Sequence, residues 1–349
     1  MSFTHRLSDL AYGAGWGVVR GLPEPMANGL FRAAADLGFR RNGPGTQQMR
    51  RNYARVVPQA GPAELDELVH AGLRSYARYW KETFRLPAMD HKKIFRQVHD
   101  VIVGLPLIDA ALERGKGLIL ALPHTGNFDV SGIWLVGYQG PFTTVNERLK
   151  PESLYQRFVE YRESLGFEIL PSEGGAYRLL MERLRANKVV CLVADRDLSK
   201  RGVPVTFFGD ETRMPAGPAR LAAVTGAEIL IVDNTFTDGA DGPGWGLRIH
   251  TPILVHGRDD VAPATQRMAD AFAADIATSP ADWHMMQKLW LADLDEERRE
   301  ALMSGPPASG LSEQRRRPGA ERPAPSSAGR EDAGSRPAHP ASQTNTESR

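Results

Sequence analysis

The residues best suited to chemistry lie in the run Pro123–Asp129 (PHTGNFD), where a histidine and an aspartate stand five positions apart. The run follows an apolar segment at 117–122, which predicts a turn at the end of a buried strand. Imidazole titrates near neutral pH, so His124 can take a proton from a hydroxyl group and return it. On one continuous helix the two side chains would diverge by about 140°. Gly126 permits a bend that would let Asp129 reach His124 and fix its tautomer.

The same spacing also has an ordinary structural interpretation. His124 would then cap a helix, and Asp129 would satisfy the free amide groups at the helix N-terminus. Because an H-x4-D match is short and common, the spacing alone favours neither interpretation. The surrounding sequence has to decide between them.

The cysteine, histidine and charged residues of the chain exclude several other classes of chemistry. Cys191 is the single cysteine, which excludes an intramolecular disulfide and any multi-cysteine metal site. It lies in the apolar run 189–194, where a small core side chain is favoured over a nucleophile. The histidines lack metal-ligand spacing, so we expect no bound metal. The 43 Lys and Arg residues balance 42 Asp and Glu residues, and this balance gives no signal for nucleic-acid binding.

Apolar runs alternate with helical patterns between residues 101 and 290. Buried strands are predicted at 117–122, 142–145, 189–194 and 227–232, and helices at 130–136, 152–165, 177–186 and 218–225. This alternation predicts an α/β fold with a mostly parallel central sheet flanked by helices. Right-handed crossovers would align the carboxyl ends of the strands along one edge, where ligands usually bind.

The N-terminal 100 residues are expected to be helical and to form one domain with the α/β core at 101–295. Helices are predicted at 7–19, 26–37 and 63–87. The first 60 residues hold eight Arg and three acidic residues, a net charge of +5. With the apolar face of the first helix (Leu7, Leu10, Ala14, Trp16), this charge predicts a membrane-facing region that attaches to an anionic surface. Packing of that face onto the core is the alternative.

Two further expectations concern the ends of the chain and its relation to the membrane. No apolar run approaches the ~20 residues that a spanning helix needs, and no signal-peptide pattern is present. Residues 305–349 are rich in Pro, Ser, Ala, Gly and Arg. Such a segment cannot bury enough apolar area to offset its ordering entropy, so it predicts a disordered tail.

The motif is accompanied by further blocks that together resemble the lysophospholipid and lipid A acyltransferase superfamily, whose hallmark is H-x4-D/E directly after a buried strand. The matching blocks are 146–148, 161–166, 195–197, 205–209, 214–219 and 281–290. The resemblance covers about residues 5–295. Within the superfamily, the ADRDL and ADWHMMQ runs most resemble the branch that acylates phosphatidylinositol mannosides.

This resemblance implies transfer of a fatty acyl group from acyl-CoA, as co-substrate, to a mannose hydroxyl of a glycolipid, with no covalent enzyme intermediate and no cofactor. The enzyme would act peripherally at the cytoplasmic face of the plasma membrane. His124 would deprotonate the hydroxyl, and Asp129 would support it. In the mannoside branch a second acid near ADRD could contact the imidazole instead, and both Asp195 and Asp197 are available. Because a thioester is already activated, a placed base and an oxyanion site suffice.

Five charged residues are candidates for substrate binding under this resemblance. Glu147 would accept hydrogen bonds from mannose hydroxyls, and Arg148 and Arg162 would hold a phosphate or shape the pocket. A structural ion pair is the alternative for these three. Arg196 would bind the CoA phosphates or, equally well, hold the strand edge in an ion pair. Arg213 precedes a segment that opens a helix, whose N-terminus can stabilise an anion, although an ordinary loop-to-helix join is the alternative.

Two other functions share these features. The acceptor could be a lysophospholipid or a lipid A precursor, with the chemistry unchanged. Alternatively, the protein could be a non-catalytic peripheral lipid-binding protein that keeps the fold. The intact H-x4-D motif argues against this last function.

Overall fold

The computed structural model describes residues 17–146, 152–172, 175–239 and 242–303. The predicted disordered tail lies outside these residues, as do Glu147, Arg148 and the apolar face of the first predicted helix. Residues 17–21, at the end of that predicted helix, are helical.

The centre of the fold is a six-stranded sheet. Its strands are β1 (Leu118–Leu122), β2 (Thr143–Asn146), β3 (Glu168–Pro171), β4 (Val189–Val193), β7 (Glu228–Gly239) and β8 (Gly242–Ile249). They lie in the order β3-β2-β4-β1-β7-β8. Every neighbouring pair is parallel except β7 and β8, which confirms the predicted mostly parallel sheet. A separate antiparallel hairpin is made by β5 (Val203–Phe207) and β6 (Asp210–Met214).

Helices precede and flank the sheet. They are α1 (Glu24–Arg41), α2 (Pro44–Val56), α3 (Pro62–Arg85), α4 (His91–His99), α5 (Leu105–Glu113), α6 (Phe128–Gln139), α7 (Glu152–Ser164), α8 (Ala176–Arg185), α9 (Gly217–Thr225), α10 (Val261–Thr278) and α11 (Glu296–Met303). The predicted helices of the α/β region match α6 to α9 within a few residues. Both α2 and α3 begin with a proline, which suits the first helical position because its missing N–H has no partner there.

Strand β1 is buried on both faces of the sheet, and its side chains alternate between two cores. Ile119 and Ala121 join a cluster that also contains Met49 and Tyr53 of α2. The other side chains of β1, together with Trp134 of α6, belong to a second cluster. Burial on both faces explains why β1 is a continuous apolar run rather than an alternating one.

The strand order decides which loops meet. β1 lies between β4 and β7 and is parallel to both, with Leu122 opposite Val193 and Ala121 opposite Ile231. The segments that leave the carboxyl ends of β1 and β4, and the neighbouring part of the longer β7, therefore lie side by side at one edge. This edge contains the H-x4-D motif.

Candidate active site

The turn that carries His124 is built around a glycine. Gly126 has φ of +51°, a conformation that side chains other than glycine rarely adopt. A Cβ at this position would lie 2.6 Å from the carbonyl oxygen of Asn234 on β7. The amide of Gly126 donates a hydrogen bond to the carbonyl of Asp282 at 2.9 Å. Both the backbone conformation and the lack of space require glycine, and the turn is thereby fixed against β7.

His124 forms its side-chain contact with Asp195, which follows β4. Its Nδ1 lies 2.6 Å from Oδ1 of Asp195, and its backbone N–H donates to Oδ2 at 3.0 Å. Trp283 Nε1 also donates to Oδ2, at 3.1 Å. The Asp195 side chain is fully buried, whereas 45% of the His124 side chain is exposed. An ionised carboxylate only accepts hydrogen bonds, so Nδ1 is the protonated nitrogen and Nε2 keeps a lone pair that can accept a proton.

Each partner of this pair shifts the other's pKa. Burial by itself lowers the pKa of His124, but the charge and hydrogen bond of Asp195 outweigh burial and raise it above its usual value. Burial likewise raises the pKa of Asp195, but the charge of His124 and three hydrogen bonds lower it overall. The pair therefore stabilises the imidazolium that forms when His124 accepts a proton.

Asp129 does not support His124 in the way the motif predicts. Its Oδ1 accepts a hydrogen bond from Nε of Arg162 at 2.9 Å, and Nη1 of Arg162 donates to Oδ1 of Asn146 at 2.6 Å. Because α6 begins at Phe128, Asp129 lies in its first turn, beside the guanidinium from α7. The position next to the imidazole is taken by Asp195.

Asp129 also does not cap the N-terminus of α6, which was the alternative interpretation of the motif. The side chain that caps α6 is Asn127, whose Oδ1 accepts from the amide of Val130 at 3.2 Å. Asp129 instead forms a buried ion pair with Arg162, with 2% and 15% of the two side chains exposed. Burial by itself lowers the pKa of Arg162, but the neighbouring Asp129 and two tyrosines raise it overall. Arg162 thus has a fixed positive charge.

Asp197, the second acid of the ADRD run, stabilises a local turn. Oδ1 of Asp197 accepts the backbone N–H of Ser199 at 3.0 Å, which stabilises the turn after Asp195. Arg196, between the two acids, donates from Nε to the carbonyl of Lys288 at 3.2 Å. Its positive charge lowers the pKa of His124, against the larger effect of Asp195.

Arg213 is held by backbone carbonyls. Its Nη1 donates to the carbonyl of Gly202 and its Nη2 to that of Leu302, both at 3.0 Å. These contacts join the β5–β6 hairpin to α11. No described contact connects Arg213 to His124, and its role in substrate binding stays a prediction.

An apolar cavity opens beside the His124 turn. Its empty space, with the open mouth included, is about 650 Å³. It lies between one face of the sheet and α6, and its apolar lining includes Leu120, Leu122, Trp134, Phe142, Phe167, Cys191, Val193, Val232, Leu247 and Ile249. Its polar lining consists of Asp129, Ser131, Thr144, Asn146, Arg162 and Asn234. Burial raises the pKa of the Cys191 thiol, which fits the interpretation of Cys191 as a core side chain.

Glu82, a buried carboxylate that the sequence does not point to directly, fixes the end of the His124 turn where α6 begins. Glu82 of α3 accepts hydrogen bonds from Asn127 Nδ2 at 2.7 Å, Trp245 Nε1 at 2.9 Å and Arg78 Nε at 2.8 Å. It thereby joins α3, the start of α6 and β8. A signal for it exists in the sequence. The helix carries Tyr76, Tyr79, Trp80 and Phe84 at helical spacing, and Glu82 stands three positions after Tyr79 on this aromatic face.

The segment 281–290, near the end of the described residues, folds back onto the same turn. The amide of His284 donates to the carbonyl of His124 at 2.9 Å. Ser75 donates to Oδ1 of Asp282 at 2.7 Å, and its oxygen lies 2.9 Å from Nε2 of His284. Burial and the charge of His124 lower the pKa of His284 to about 3. His284 is therefore neutral at physiological pH.

Two further observations apply to the part of the chain that the structure describes. Within it, no three His, Cys, Asp or Glu side chains are grouped so that they could hold a metal ion. None of its helices combines the length and the apolar character needed to cross a bilayer.

Comparison with known proteins gives a consistent result. A protein from Mycolicibacterium smegmatis named phosphatidylinositol mannoside acyltransferase is 54% identical over 301 residues, which are 85% of this chain and 96% of that protein. A protein of the same name from Mycobacterium tuberculosis is 53% identical over 306 residues, 87% of this chain and 95% of its own. Residues 1–292 match the family described as bacterial lipid A biosynthesis acyltransferase. The chain belongs to this family, as the H-x4-D motif and its accompanying blocks predicted, and is an acyltransferase.

Proposed function

We propose that this protein transfers a fatty acyl group from acyl-CoA to a mannose hydroxyl of a phosphatidylinositol mannoside, at the cytoplasmic face of the plasma membrane. One observation carries the proposal. The His124–Asp195 pair, with its imidazole side chain half-exposed, belongs to the turn that leads into α6, and α6 forms one wall of an apolar cavity. A base next to an apolar cavity suits a reaction in which a hydroxyl attacks a carbonyl that is attached to a hydrocarbon chain.

In this mechanism Nε2 of His124 removes the proton from the acceptor hydroxyl, and the oxygen attacks the thioester carbonyl. Asp195 holds the imidazole in the required tautomer and stabilises the imidazolium. When the tetrahedral intermediate collapses, the C–S bond breaks and the thiolate of CoA takes the proton back from His124. General acid–base catalysis of this kind contributes about 10²–10⁴-fold to the rate.

The cavity would hold the acyl chain of the donor. Its walls are aliphatic and aromatic, and its polar groups are concentrated in a few side chains that include the ion pair of Asp129 and Arg162. The ion pair would shape this part of the site while its charges neutralise each other. Arg196, whose charge acts on His124, is suited to the phosphates of CoA because a guanidinium can bind them bidentately.

The acceptor is inferred from the relatives. Both are named phosphatidylinositol mannoside acyltransferases and align over almost their whole lengths. Glu147 and Arg148 remain predicted contacts to the acceptor, since they lie outside the described residues.

Helix α1 supports attachment to a membrane surface. Met26, Leu30 and Leu37 are 60%, 53% and 46% exposed, and their spacings of four and seven put them on one face. Arg40 and Arg41 lie in the last turn of the same helix. An exposed apolar face with nearby cations favours shallow insertion into an anionic surface.

A transfer assay tests the function. Labelled acyl-CoA is incubated with the enzyme and, in turn, with a phosphatidylinositol mannoside, a lysophospholipid, a lipid A precursor or no acceptor. We expect labelled product to form fastest with the mannoside and to be lost in His124→Ala. Faster transfer to the lysophospholipid would replace the proposed acceptor, and binding of lipid without any transfer would indicate a non-catalytic protein.

Vesicle binding tests the membrane surface. The wild type should bind anionic vesicles more strongly than neutral ones, and salt or neutralisation of Arg6, Arg20 and Arg32 should weaken the binding. Leu30→Ser should also weaken it. Val224→Ser is the matched control, because Val224 is an exposed apolar residue of another helix, α9. Binding that is equal for both vesicle types and insensitive to salt would exclude electrostatic attachment.

A further inference from the structure

A buried amide of β7 has a free donor in the cavity. Asn234 is 1% exposed and lines the cavity. Its Oδ1 accepts a hydrogen bond from the hydroxyl of Ser131 on α6. Among the described residues, Nδ2 of Asn234 has no hydrogen-bond partner. Such a donor has lost its hydration without gaining an acceptor, so it is available to a ligand group that enters the cavity.

Two observations place this donor next to the His124 turn. The backbone of Asn234 packs so closely on Gly126 that a Cβ there would lie 2.6 Å from the Asn234 carbonyl oxygen. β7 also runs parallel to β1, with Ala121 opposite Ile231. His124 and Asn234 each follow these residues by three positions, in the same chain direction. Because neighbouring strands are about 4.8 Å apart, the backbone of the His124 turn lies next to Asn234.

We infer that Nδ2 of Asn234 is an oxyanion donor of the acyl-transfer reaction, a conclusion that rests on the proposed function. As the acceptor oxygen bonds to the thioester carbon and its proton passes to His124, the π electron pair of the carbonyl moves onto the carbonyl oxygen. Nδ2 donates to that oxygen as its negative charge develops. When the intermediate collapses, the C=O bond re-forms, the C–S bond breaks, and the CoA thiolate takes the proton from His124.

The Ser131 contact gives the amide its orientation. With Oδ1 engaged by the hydroxyl, the planar side chain presents its NH₂ group rather than its oxygen to the cavity. A donor that is fixed before the reaction stabilises charge without reorganisation, which is why preorganised donors are effective in a site from which water is excluded.

Substitution of Asn234 by Asp and by Ala tests the inference. Asn234→Asp keeps the size of the side chain and its acceptor for Ser131 but removes the donor, and Asn234→Ala removes the donor without adding charge. We expect kcat to fall by about 10²–10³-fold in both. The KM for acyl-CoA should change by less than about threefold, because the interaction forms only in the transition state. In Asn234→Ala, which adds no charge near His124, the acid limb of the pH profile should stay in place because it reports the protonation of His124.

Two inert analogues separate this role from a structural one. A CoA thioether has no carbonyl oxygen and should bind the wild type and both variants equally. A CoA trifluoromethyl ketone adds water at its carbonyl carbon to give a tetrahedral gem-diol that resembles the intermediate, and it should lose affinity in the variants in proportion to kcat. A kcat close to that of the wild type in Asn234→Ala, or a parallel loss of thioether binding, would overturn the inference. If neither analogue binds even the wild type, the acyl-CoA donor of the proposed function fails instead.

Discussion

Two buried aspartates at this edge of the sheet differ in function because their partners differ in chemistry. Asp195 pairs with His124, whose side chain is 45% exposed, whereas Asp129 pairs with the buried guanidinium of Arg162. An imidazole gains and loses its proton near neutral pH, but a guanidinium stays charged. The first pair can therefore move a proton during a reaction, and the second can only hold charge in place. The residue type alone does not separate the two tasks, although both aspartates belong to motifs of the same family.

The largest effect on activity is expected from removing the base. His124→Ala should lower kcat by about 10²–10⁴-fold, while the melting temperature should change little, because the buried Asp195 keeps its hydrogen bonds from the backbone of residue 124 and from Trp283. Labelled acyl transfer and thermal unfolding measure the two effects. His70→Ala is the matched control, since His70 is a partly exposed histidine that also pairs with an aspartate, Asp36. A folded His124→Ala protein with normal turnover would contradict the proton-transfer task.

The largest effect on stability is expected at the other pair. Asp129→Asn leaves the charge of Arg162 without its opposite charge, with only the hydrogen bond to Asn146 remaining among the described residues, which should cost about 3–5 kcal/mol of unfolding free energy. Denaturant unfolding measures this loss. Glu182→Gln, which breaks the exposed pair with Arg178, should cost under about 1 kcal/mol.

A double replacement sharpens this second test. Asp129→Leu combined with Arg162→Met removes both charges and should recover most of the lost stability. If Asp129→Asn had the same unfolding free energy as the wild type, the ion pair would not stabilise the fold as proposed.

The pH dependence distinguishes the two aspartates more finely. The Asp195 carboxylate raises the pKa of His124 above 6.5, and a base acts only when neutral, so the acid limb of kcat/KM should lie above pH 6.5 in the wild type. In Asp195→Asn this pKa falls, and the limb should move to lower pH while the maximal rate drops by about 10²–10⁴-fold. Asp129→Asn should leave the position of the limb unchanged. Equal shifts in the two variants would show that both aspartates act on His124.

The smallest effect is expected at the neighbouring acid. Asp197→Asn removes a carboxylate that accepts only the amide of Ser199 in the described contacts. We expect a stability loss of about 0.5–1.5 kcal/mol and kcat within about threefold of the wild type. A loss as large as that of Asp195→Asn would mean that the ADRD segment provides two functional acids rather than one.

Strands β5 and β8 were not predicted, because their local residue patterns are not typical of strands. β8 contains Gly244 and Gly246 and therefore resembles a loop in the sequence. In the structure both glycines lie against threonine side chains of β7, with Thr237 and Thr235 in the space where a Cβ would be. β5 contains Pro204 and belongs to a hairpin outside the main sheet, where a proline costs no central ladder bond. The pairing partner, rather than the local composition, makes these segments strands.

The sequence by itself determined the central strands β1, β2, β4 and β7, the helices between them, the turn at Gly126 and the family. These features depend on local apolar runs, on the conformational freedom of glycine and on motifs of a few residues. Only the tertiary structure decided that Asp195, rather than Asp129, meets His124, and that Asn234 lies beside them. Asp195 is 71 positions from His124 in the chain, and the three segments meet because β1 lies between β4 and β7. Strand order follows from the packing of the whole sheet, so no single segment of the sequence specifies it.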